Sequence, residues 1–123
     1  MKIQNEVKDV RGNMVFYVQN NRRVSIIEIK KGFSRGGHYH PIEQDHIIIS
    51  GKVEYREEDI ETKKEEIKII EKATVLNVPP KKAHIFIALE DTIFIESFLG
   101  EYQATEYPKY RKDVEDRIKN NSK

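Results

Sequence analysis

The sequence predicts an all-β barrel or sandwich that is followed by one short C-terminal helix. Three observations predict this fold: many short β-prone segments at regular spacing, turn residues between them, and a helical pattern in the tail. A chain of 123 residues suits one core. We therefore expect residues 1–123 to form a single domain.

The composition argues against several classes of function. The chain has no cysteine, so it has neither a disulfide framework nor a thiol nucleophile. Its 22 basic and 21 acidic residues nearly cancel, which argues against a nucleic-acid partner. No stretch is apolar and long enough to span a membrane, and the N-terminus lacks the core of a signal peptide. We therefore expect a cytoplasmic protein that does not bind membranes.

Short β-prone segments alternate with turns over the first hundred residues. The predicted strands cover residues 2–7, 14–18, 24–30, 45–49, 53–56, 67–70, 75–78, 84–89 and 92–98. The last two flank the turn at residues 90–91 and are expected to form a hairpin. Residues 57–66 are almost all charged, which predicts a solvated hairpin loop.

The tail has the pattern of an amphipathic helix. Pro108 can open a helix, and Tyr110, Val114 and Ile118 then recur every four residues as an apolar stripe. We expect this helix to pack on the barrel or on a partner subunit. Consecutive isoleucines at residues 26–27, 47–49 and 69–70 also predict strands that are buried on both faces. A barrel interior covers just one face, so a homodimer interface is expected to cover the other.

The stretch from residue 32 to residue 51, GFSRGGHYHPIEQDHIIISG, contains three of the four histidines. His38 and His40 are two residues apart and therefore project from the same face of an extended segment. After a turn, Gln44 and His46 share one face of the next strand. Imidazoles paired in this way can bind a metal or share acid–base work. The alternative is a chance pair on the surface.

These residues resemble the two sequence motifs of the cupin superfamily. The first motif is matched at Gly32, His38, His40, Gln44 and Gly51, with Gln44 where cupins have Glu. The second is matched at Pro79, Lys81 and His84, with Lys81 in place of Gly. The resemblance covers most of the chain. It implies a cupin double-stranded β-helix, or jelly-roll, barrel with a short C-terminal helix.

Further motifs resemble the cupins that act on sugar nucleotides, which are the 3,4-ketoisomerases and 3,5-epimerases of dTDP-4-keto-6-deoxyhexoses. The matches are Asp-x-Arg-Gly at residues 9–12, Arg-Gly-Gly-His-x-His at 35–40, Gln44 before Ser-Gly, and Pro-Pro before His84. The resemblance implies an isomerase or epimerase of a nucleotide-linked 4-keto-6-deoxysugar that needs no cofactor. Cupin domains of capsular-sugar reductases carry a similar histidine stretch, but with a metal.

The resemblance assigns roles to particular residues. His38 and His40 are the expected base and acid for proton transfer on the sugar. Arg35 is expected to meet a diphosphate or the sugar oxygens through its forked donors. The other predicted substrate contacts are Gln44, His46, His84 and Tyr102, and His46 is expected to be a buried strand residue rather than a catalyst. The ligand is then a sugar or a nucleotide sugar.

The same residues also support a metal-binding alternative. His38, His40 and His84, with Gln44 as a neutral fourth ligand, suit Zn, Fe, Mn or Ni. A cupin of that kind is a dioxygenase, an isomerase or a protein that binds a small ligand. A third hypothesis is a cupin that binds a sugar without turning it over.

Overall fold

The computed structural model describes residues 5–71 and 73–121 of the chain. Within those ranges it has eleven strands and one helix. They are β1 (Asn5–Asp9), β2 (Gly12–Gln19), β3 (Arg22–Ile29), β4 (Ser34–Tyr39), β5 (Gln44–Ser50), β6 (Lys52–Asp59), β7 (Glu65–Glu71), β8 (Thr74–Val78), β9 (Lys82–Ala88), β10 (Thr92–Leu99), β11 (Thr105–Glu106) and α1 (Pro108–Asn121). The predicted all-β fold with a C-terminal helix is confirmed.

The strands form two antiparallel sheets. The six-stranded sheet has the order β1-β2-β3-β10-β5-β8, and the five-stranded sheet has the order β11-β4-β9-β6-β7. The main core combines buried apolar side chains of both sheets, including Ile29, Ile48, Val53, Tyr55, Phe86 and Phe94. Alternate residues of each strand point inward, so one face of each sheet contributes to this core.

Strand β9 is buried on both faces, because α1 covers the outer face of the five-stranded sheet. Ala83, Ile85 and Ile87 pack there against Tyr110 and Val114 of the helix, in a second apolar cluster. The apolar helical stripe predicted from the sequence is therefore confirmed. Because the core covers one face of β9 and α1 covers the other, the sequence of β9 is a continuous apolar run rather than an alternating one.

The predicted hairpin of the last two long strands is wrong. Strand β9 pairs with β4 and β6, whereas β10 pairs with β3 and β5 in the opposite sheet. Both edges of β9 are occupied, so the turn at residues 90–91 carries the chain from one sheet to the other. The inward faces of the two strands then meet across the core, where the rings of Phe86 and Phe94 stack with centroids 4.8 Å apart.

The hairpin predicted at residues 57–66 is confirmed, since β6 and β7 pair antiparallel, but its solvated loop is shorter than predicted. Strand β6 runs to Asp59 and β7 begins at Glu65, so the connection between them is short. Glu58 is only 4% exposed, and it accepts hydrogen bonds from Lys109 Nζ at 2.6 Å and from the Tyr107 hydroxyl. Tyr107, just before α1, and Lys109, in its first turn, thus stabilise a buried carboxylate that the local sequence predicts to be solvated.

The remaining predicted strands agree with the structure to within a few residues at their ends. The predicted strand at residues 2–7 corresponds to β1, and its first three residues lie outside the described part of the chain. In the described ranges no helix is long and apolar enough to cross a membrane.

The outer face of the six-stranded sheet carries one aliphatic residue from each of five neighbouring strands. The register aligns them in a row: Val15, Ile26, Ile95, Ile47 and Val75. Ile26, Ile47 and Val75 are exposed. The isoleucine runs that predicted strands buried on both faces therefore have an exposed side within this chain. The homodimer expected to cover that side stays a prediction.

Candidate functional site

A cavity of about 250 Å³ lies between the two sheets. Its lining comes from several strands of both sheets, from the β1–β2 turn, from the segment after β10 and from α1. The polar and charged side chains of the lining are Arg11, Arg23, Ser25, Arg35, His38, His40, His84, Glu96, Tyr102 and Arg111. The deeper surface is apolar and includes Phe86 and Phe94. A concave site with a few convergent polar groups is typical of small-molecule binding.

A β-bulge in β4 brings Arg35 and His38 to the same side of the strand. The pairing of β4 with β9 shifts register between Gly36 and His38, so Gly37 is the extra residue. Gly37 has φ +83°, and a Cβ at that position would lie 2.7 Å from Arg111 Cδ. The bulge therefore needs glycine there, and it lets residues three apart both face the cavity.

We call His38, His40 and His84 the histidine wall, because all three lie on or next to strands of the five-stranded sheet. The ring centroids of His38 and His40 are 6.2 Å apart, and those of His40 and His84 are 5.3 Å apart. His38 and His84 are also direct register partners of β4 and β9. The structure thus brings together the three histidines that the two sequence motifs indicate.

The histidine wall is neutral at pH 7. Burial, with help from Arg111 and His40, lowers the pKa of His38 to about 4. Burial, with help from His46 and His40, lowers the pKa of His84 to about 3. Burial also lowers the pKa of His40. Each imidazole therefore keeps a lone pair that can accept a proton from a bound molecule.

Backbone carbonyl groups orient two of these imidazoles. His40 Nδ1 donates to Gln103 O at 2.8 Å, and His84 Nδ1 lies 3.3 Å from Lys82 O. With the proton on Nδ1, the free lone pair is on Nε2. The backbone therefore selects one tautomer for each ring.

Four arginines and a single carboxylate give the cavity lining a positive balance. Arg35 is held in place, since its guanidinium donates to Glu28 O at 3.1 Å and to Gly12 O at 3.0 Å. Arg11 pairs with Asp9 at 2.7 Å. The Nε atoms of Arg23 and Arg111 are buried without a hydrogen-bond partner among the described residues. An anionic ligand is the group that such unpaired donors favour.

The six-stranded sheet supplies the opposite side of the cavity. We call Arg23, Ser25 and Glu96 the carboxylate wall. Glu96 Oε2 accepts a hydrogen bond from His46 Nε2 at 3.1 Å. Burial raises the pKa of Glu96, but the hydrogen bond from His46 and the electrostatic effect of the neighbouring histidines outweigh it, so the net pKa is lowered. The carboxylate is therefore ionised at neutral pH.

The structure separates the predicted substrate-binding residues into two groups. Arg35, His84 and Tyr102 line the cavity. Gln44 and His46 do not, and they are 1% and 0% exposed. Both point inward as their spacing predicts, but they lie behind the lining, where His46 packs against Phe86. Direct substrate contact was the prediction for these two residues, and the structure instead buries both of them in the core.

Sequence reasoning missed Glu96, Arg23 and Arg111. A signal for the first two is present in the sequence. Glu96 occupies the inward register of β10 between Phe94 and Phe98, which are both buried. Arg23 lies two residues before the buried Ser25 in β3 and therefore points to the same, inward side. A charged residue at an inward position of an apolar strand indicates a functional site more often than a core residue. Arg111 has no comparable signal.

The described residues do not form a closed metal centre. In residues 5–71 and 73–121, no three His, Asp or Glu side chains are arranged so that they could hold a metal ion. Gln44, the predicted fourth ligand, is buried outside the cavity lining. The carboxylate of Glu96 is already paired with His46. As placed, these residues do not form a metal centre, and the metal-binding alternative stays a prediction.

No protein-family model matches the chain, and no curated protein sequence matches it. Solved structures do match its shape. CapF with the inhibitor 3-isopropenyl-tropolone gives a TM-score of 0.76 at 18% identity, over 86% of this chain and 34% of that one. The capsular polysaccharide assembling protein CapF from Staphylococcus aureus gives 0.75 at 17% identity, over 86% and 34%. Oxalate decarboxylase from Bacillus subtilis, described with Mn(II) centres, gives 0.75 at 18%, over 87% and 31%.

These neighbours are cupin-fold proteins, and the match to them shows the fold. The chain has the cupin jelly-roll fold with a short C-terminal helix. It spans about a third of the length of the solved structures it matches.

Proposed function

We propose that this cupin is an isomerase or epimerase of a nucleotide-linked 4-keto-6-deoxysugar, and that His38 and His40 transfer the proton. The observation that carries the proposal is the shared cavity, in which neutral imidazoles and four arginines face the same space. The imidazoles suit proton transfer at a carbon next to a ketone, and the arginines suit binding of the anionic diphosphate, which does not react.

The chemistry follows from the acidity of the carbon atoms beside the C4 ketone. A neutral imidazole takes the C3 proton, the C–H electron pair enters a C3–C4 double bond, and the negative charge moves to O4. Return of the proton to C4 uses the electron pair of the C3–C4 double bond, and an electron pair of O3 forms the C3=O bond. The proton that leaves O3 goes to O4, which gives the 3-keto isomer with a hydroxyl at C4. Return to C3 from the other face gives the epimer. The negative charge that develops beside His38 or His40 favours the protonated imidazole that forms.

In the proposed function, the arginines of the cavity bind the diphosphate of the substrate. Arg23 and Arg111 have buried Nε donors that find no partner among the described residues, and Arg35 is fixed by two carbonyls at the cavity lining. Guanidinium groups bind phosphate oxygens through paired donors, and the pairing is strongest where water is excluded. A diphosphate at this position leaves the sugar facing the histidine wall.

The space beside the cavity suits the nucleoside. A second, more open groove of about 720 Å³ shares Arg23 and Tyr102 with the lining of the cavity. Tyr102 is exposed and lies with its ring 5.5 Å from that of His40. The aromatic ring offers a stacking surface for a base. The neighbouring CapF structures, described as a capsular polysaccharide assembling protein, also support a carbohydrate substrate.

Proton exchange tests the proposal directly. Protein that elemental analysis shows to be free of metal is incubated in D₂O with a dTDP-4-keto-6-deoxyhexose, and the sugar is followed by NMR. We expect deuterium to enter next to the ketone of an epimer whose proton faces the histidine wall, and we expect His38→Asn to abolish the exchange of that proton. Glu54→Gln serves as the control, because Glu54 pairs with Arg56 on the outer side of β6.

The other outcomes separate the competing hypotheses. Exchange that appears only after Mn, Fe, Zn or Ni is added, and is lost in His38→Asn, overturns the metal-free mechanism in favour of the metal-binding cupin. Binding of the sugar nucleotide without any exchange overturns the enzyme in favour of a binding protein.

A further inference from the structure

Glu96 faces the histidine wall from the other side of the cavity. His38 belongs to β4 of the five-stranded sheet, and Glu96 belongs to β10 of the six-stranded sheet. Both side chains line the same cavity. A flat sugar intermediate held between the two sheets therefore presents one face to the imidazoles and the other to the carboxylate.

The backbone holds Glu96 firmly in this position. In the sheet it is the direct partner of Ser25 on β3 and of His46 on β5. Its side chain is 16% exposed, whereas the His46 side chain is fully buried. The hydrogen bond from His46 engages Oε2, and the carboxylate has a second oxygen that can accept a proton. This arrangement, a base at the cavity supported from behind by a buried histidine, is typical of an oriented acid–base group.

We infer, on the basis of the proposed function, that Glu96 is a second catalytic residue that transfers a proton on the face of the sugar opposite to His38. The reaction is then an inversion at carbon, so the enzyme is an epimerase rather than a ketoisomerase. Groups on only one wall move a proton along one face of the ring. Groups on both walls take the proton from one face and return another to the opposite face.

Each proton and electron pair in this step has a defined source and destination. The Glu96 carboxylate takes the proton from the carbon beside the ketone, and the C–H electron pair becomes the double bond of the enolate. His38, which takes up a proton from solvent before this step, then gives that proton to the same carbon from the opposite face, and the double-bond pair forms the new C–H bond. Glu96 ends as the acid and His38 as the neutral base. The reverse reaction uses the two groups in exchanged roles, so no oxidant or other reactant is needed.

The two epimers of the substrate provide the test. Each epimer of the dTDP-4-keto-6-deoxyhexose is incubated separately in D₂O with wild type, Glu96→Gln, His38→Asn and the control Glu54→Gln. Wild type and control are expected to interconvert the epimers with uptake of solvent deuterium. Glu96→Gln is expected to exchange the proton of one epimer only, His38→Asn that of the other only, and both to lose interconversion by at least about a hundredfold.

The alternatives give different results. If Glu96→Gln still interconverts the epimers within tenfold of wild type, or if wild type moves the keto group without inversion, the inference is overturned while the proposed function stands. If wild type exchanges neither epimer, the proposed function itself fails. Circular dichroism and binding of dTDP check the fold of each variant. Should Glu96→Gln not fold, Glu96→Asp replaces it, with slower interconversion of the two epimers expected and unchanged interconversion contradicting the inference.

Discussion

The two walls of the cavity differ in how far apart their residues lie along the chain. The histidine wall takes His38 and His40 from a single short motif, whereas the carboxylate wall joins Arg23 of β3 to Glu96 of β10. The period-two alternation of an extended segment is enough to place the two histidines on one face. The carboxylate wall exists only because β3 and β10 pair in a register that sets Ser25 beside Glu96. A local motif therefore identifies one wall and says nothing about the other.

The walls also differ in charge. Burial keeps the imidazoles of the histidine wall neutral, while the carboxylate wall holds an ionised Glu96 and the guanidinium of Arg23. In the proposed reaction this separates the tasks. The histidine wall transfers protons, and the carboxylate wall contributes a second proton acceptor and a cation for the diphosphate. The predictions that follow test this division, in order of the size of the expected effect.

The largest effect is expected from the histidine wall. Changing His38→Asn removes a proton acceptor but keeps a polar side chain of similar shape, so kcat/KM should fall by about 10²–10⁴-fold. The dissociation constant of dTDP, measured by isothermal titration calorimetry, should change little because the arginines remain. A comparable loss of both activity and dTDP binding would contradict the separation of tasks between the walls.

The burial of His84 predicts a loss of stability in acid. Its pKa is about 3 in the folded chain against 6.5 for an ordinary histidine, so between these values the unfolded chain binds a proton that the folded chain does not. This contribution is complete above about pH 6.5 and is lost as the pH falls toward the folded pKa. From pH 7 to pH 4 the free energy of unfolding should fall by on the order of 3 kcal/mol, at about 1.4 kcal/mol per pKa unit.

Urea denaturation at a series of pH values measures this effect, with His84→Phe as the comparison. The phenyl ring occupies a similar volume next to Phe86 and does not titrate. We expect a smaller pH dependence in that variant. The same slope in wild type and His84→Phe would show that other groups cause the acid sensitivity, such as Glu58 and Glu96, whose pKa values are lowered.

On the carboxylate wall, Arg23 should matter for binding. Replacing Arg23 by Gln removes the unpaired buried donor and the charge, so the dissociation constant of dTDP should rise by about tenfold to hundredfold. Arg22→Gln is a matched control. Arg22 is the preceding residue of β3, and its guanidinium contacts Ser97 and Asp45 rather than the cavity. Equal effects of the two substitutions on the dissociation constant would mean that Arg23 contributes only to the general charge.

The smallest effect on activity is expected on the outer side of the six-stranded sheet. The sequence predicts a homodimer, and this face exposes the aliphatic row that contains Ile47. Ile47→Lys should then convert a dimer to a monomer in light scattering while turnover changes by less than about threefold, since Ile47 points away from the cavity. Lys68→Ile, at an exposed position of β7 in the other sheet, controls for a simple change of surface polarity. A monomeric wild type contradicts the predicted homodimer.

The wrong predictions from the sequence and the failure to predict the carboxylate wall have the same physical cause, which is contact between segments that are distant along the chain. The predicted hairpin of β9 and β10 rested on two strands joined by a short turn, but the partners of each strand lie elsewhere in the chain. Glu58 was expected to be solvated, and it is buried because Tyr107 and Lys109 cover it from about fifty positions further along. In each case the deciding contact joins segments that no local pattern connects.

The sequence by itself determined the features that depend on neighbouring residues. These are the all-β class, the C-terminal helix with its Tyr110 and Val114 stripe, and the placement of His38 and His40 on one face. Turn chemistry and the two structural periodicities act over a few residues, so they can be read in order along the chain.

Only the tertiary structure decided which strands share a sheet, and therefore what faces the histidines. Strand register and the packing of one sheet on the other bring β3, β10 and α1 together. Arg23, Glu96 and Arg111 from these three elements therefore line one cavity. Burial then changed the chemistry of the motif residues, since the low pKa values of His38 and His84 come first from the loss of water around them.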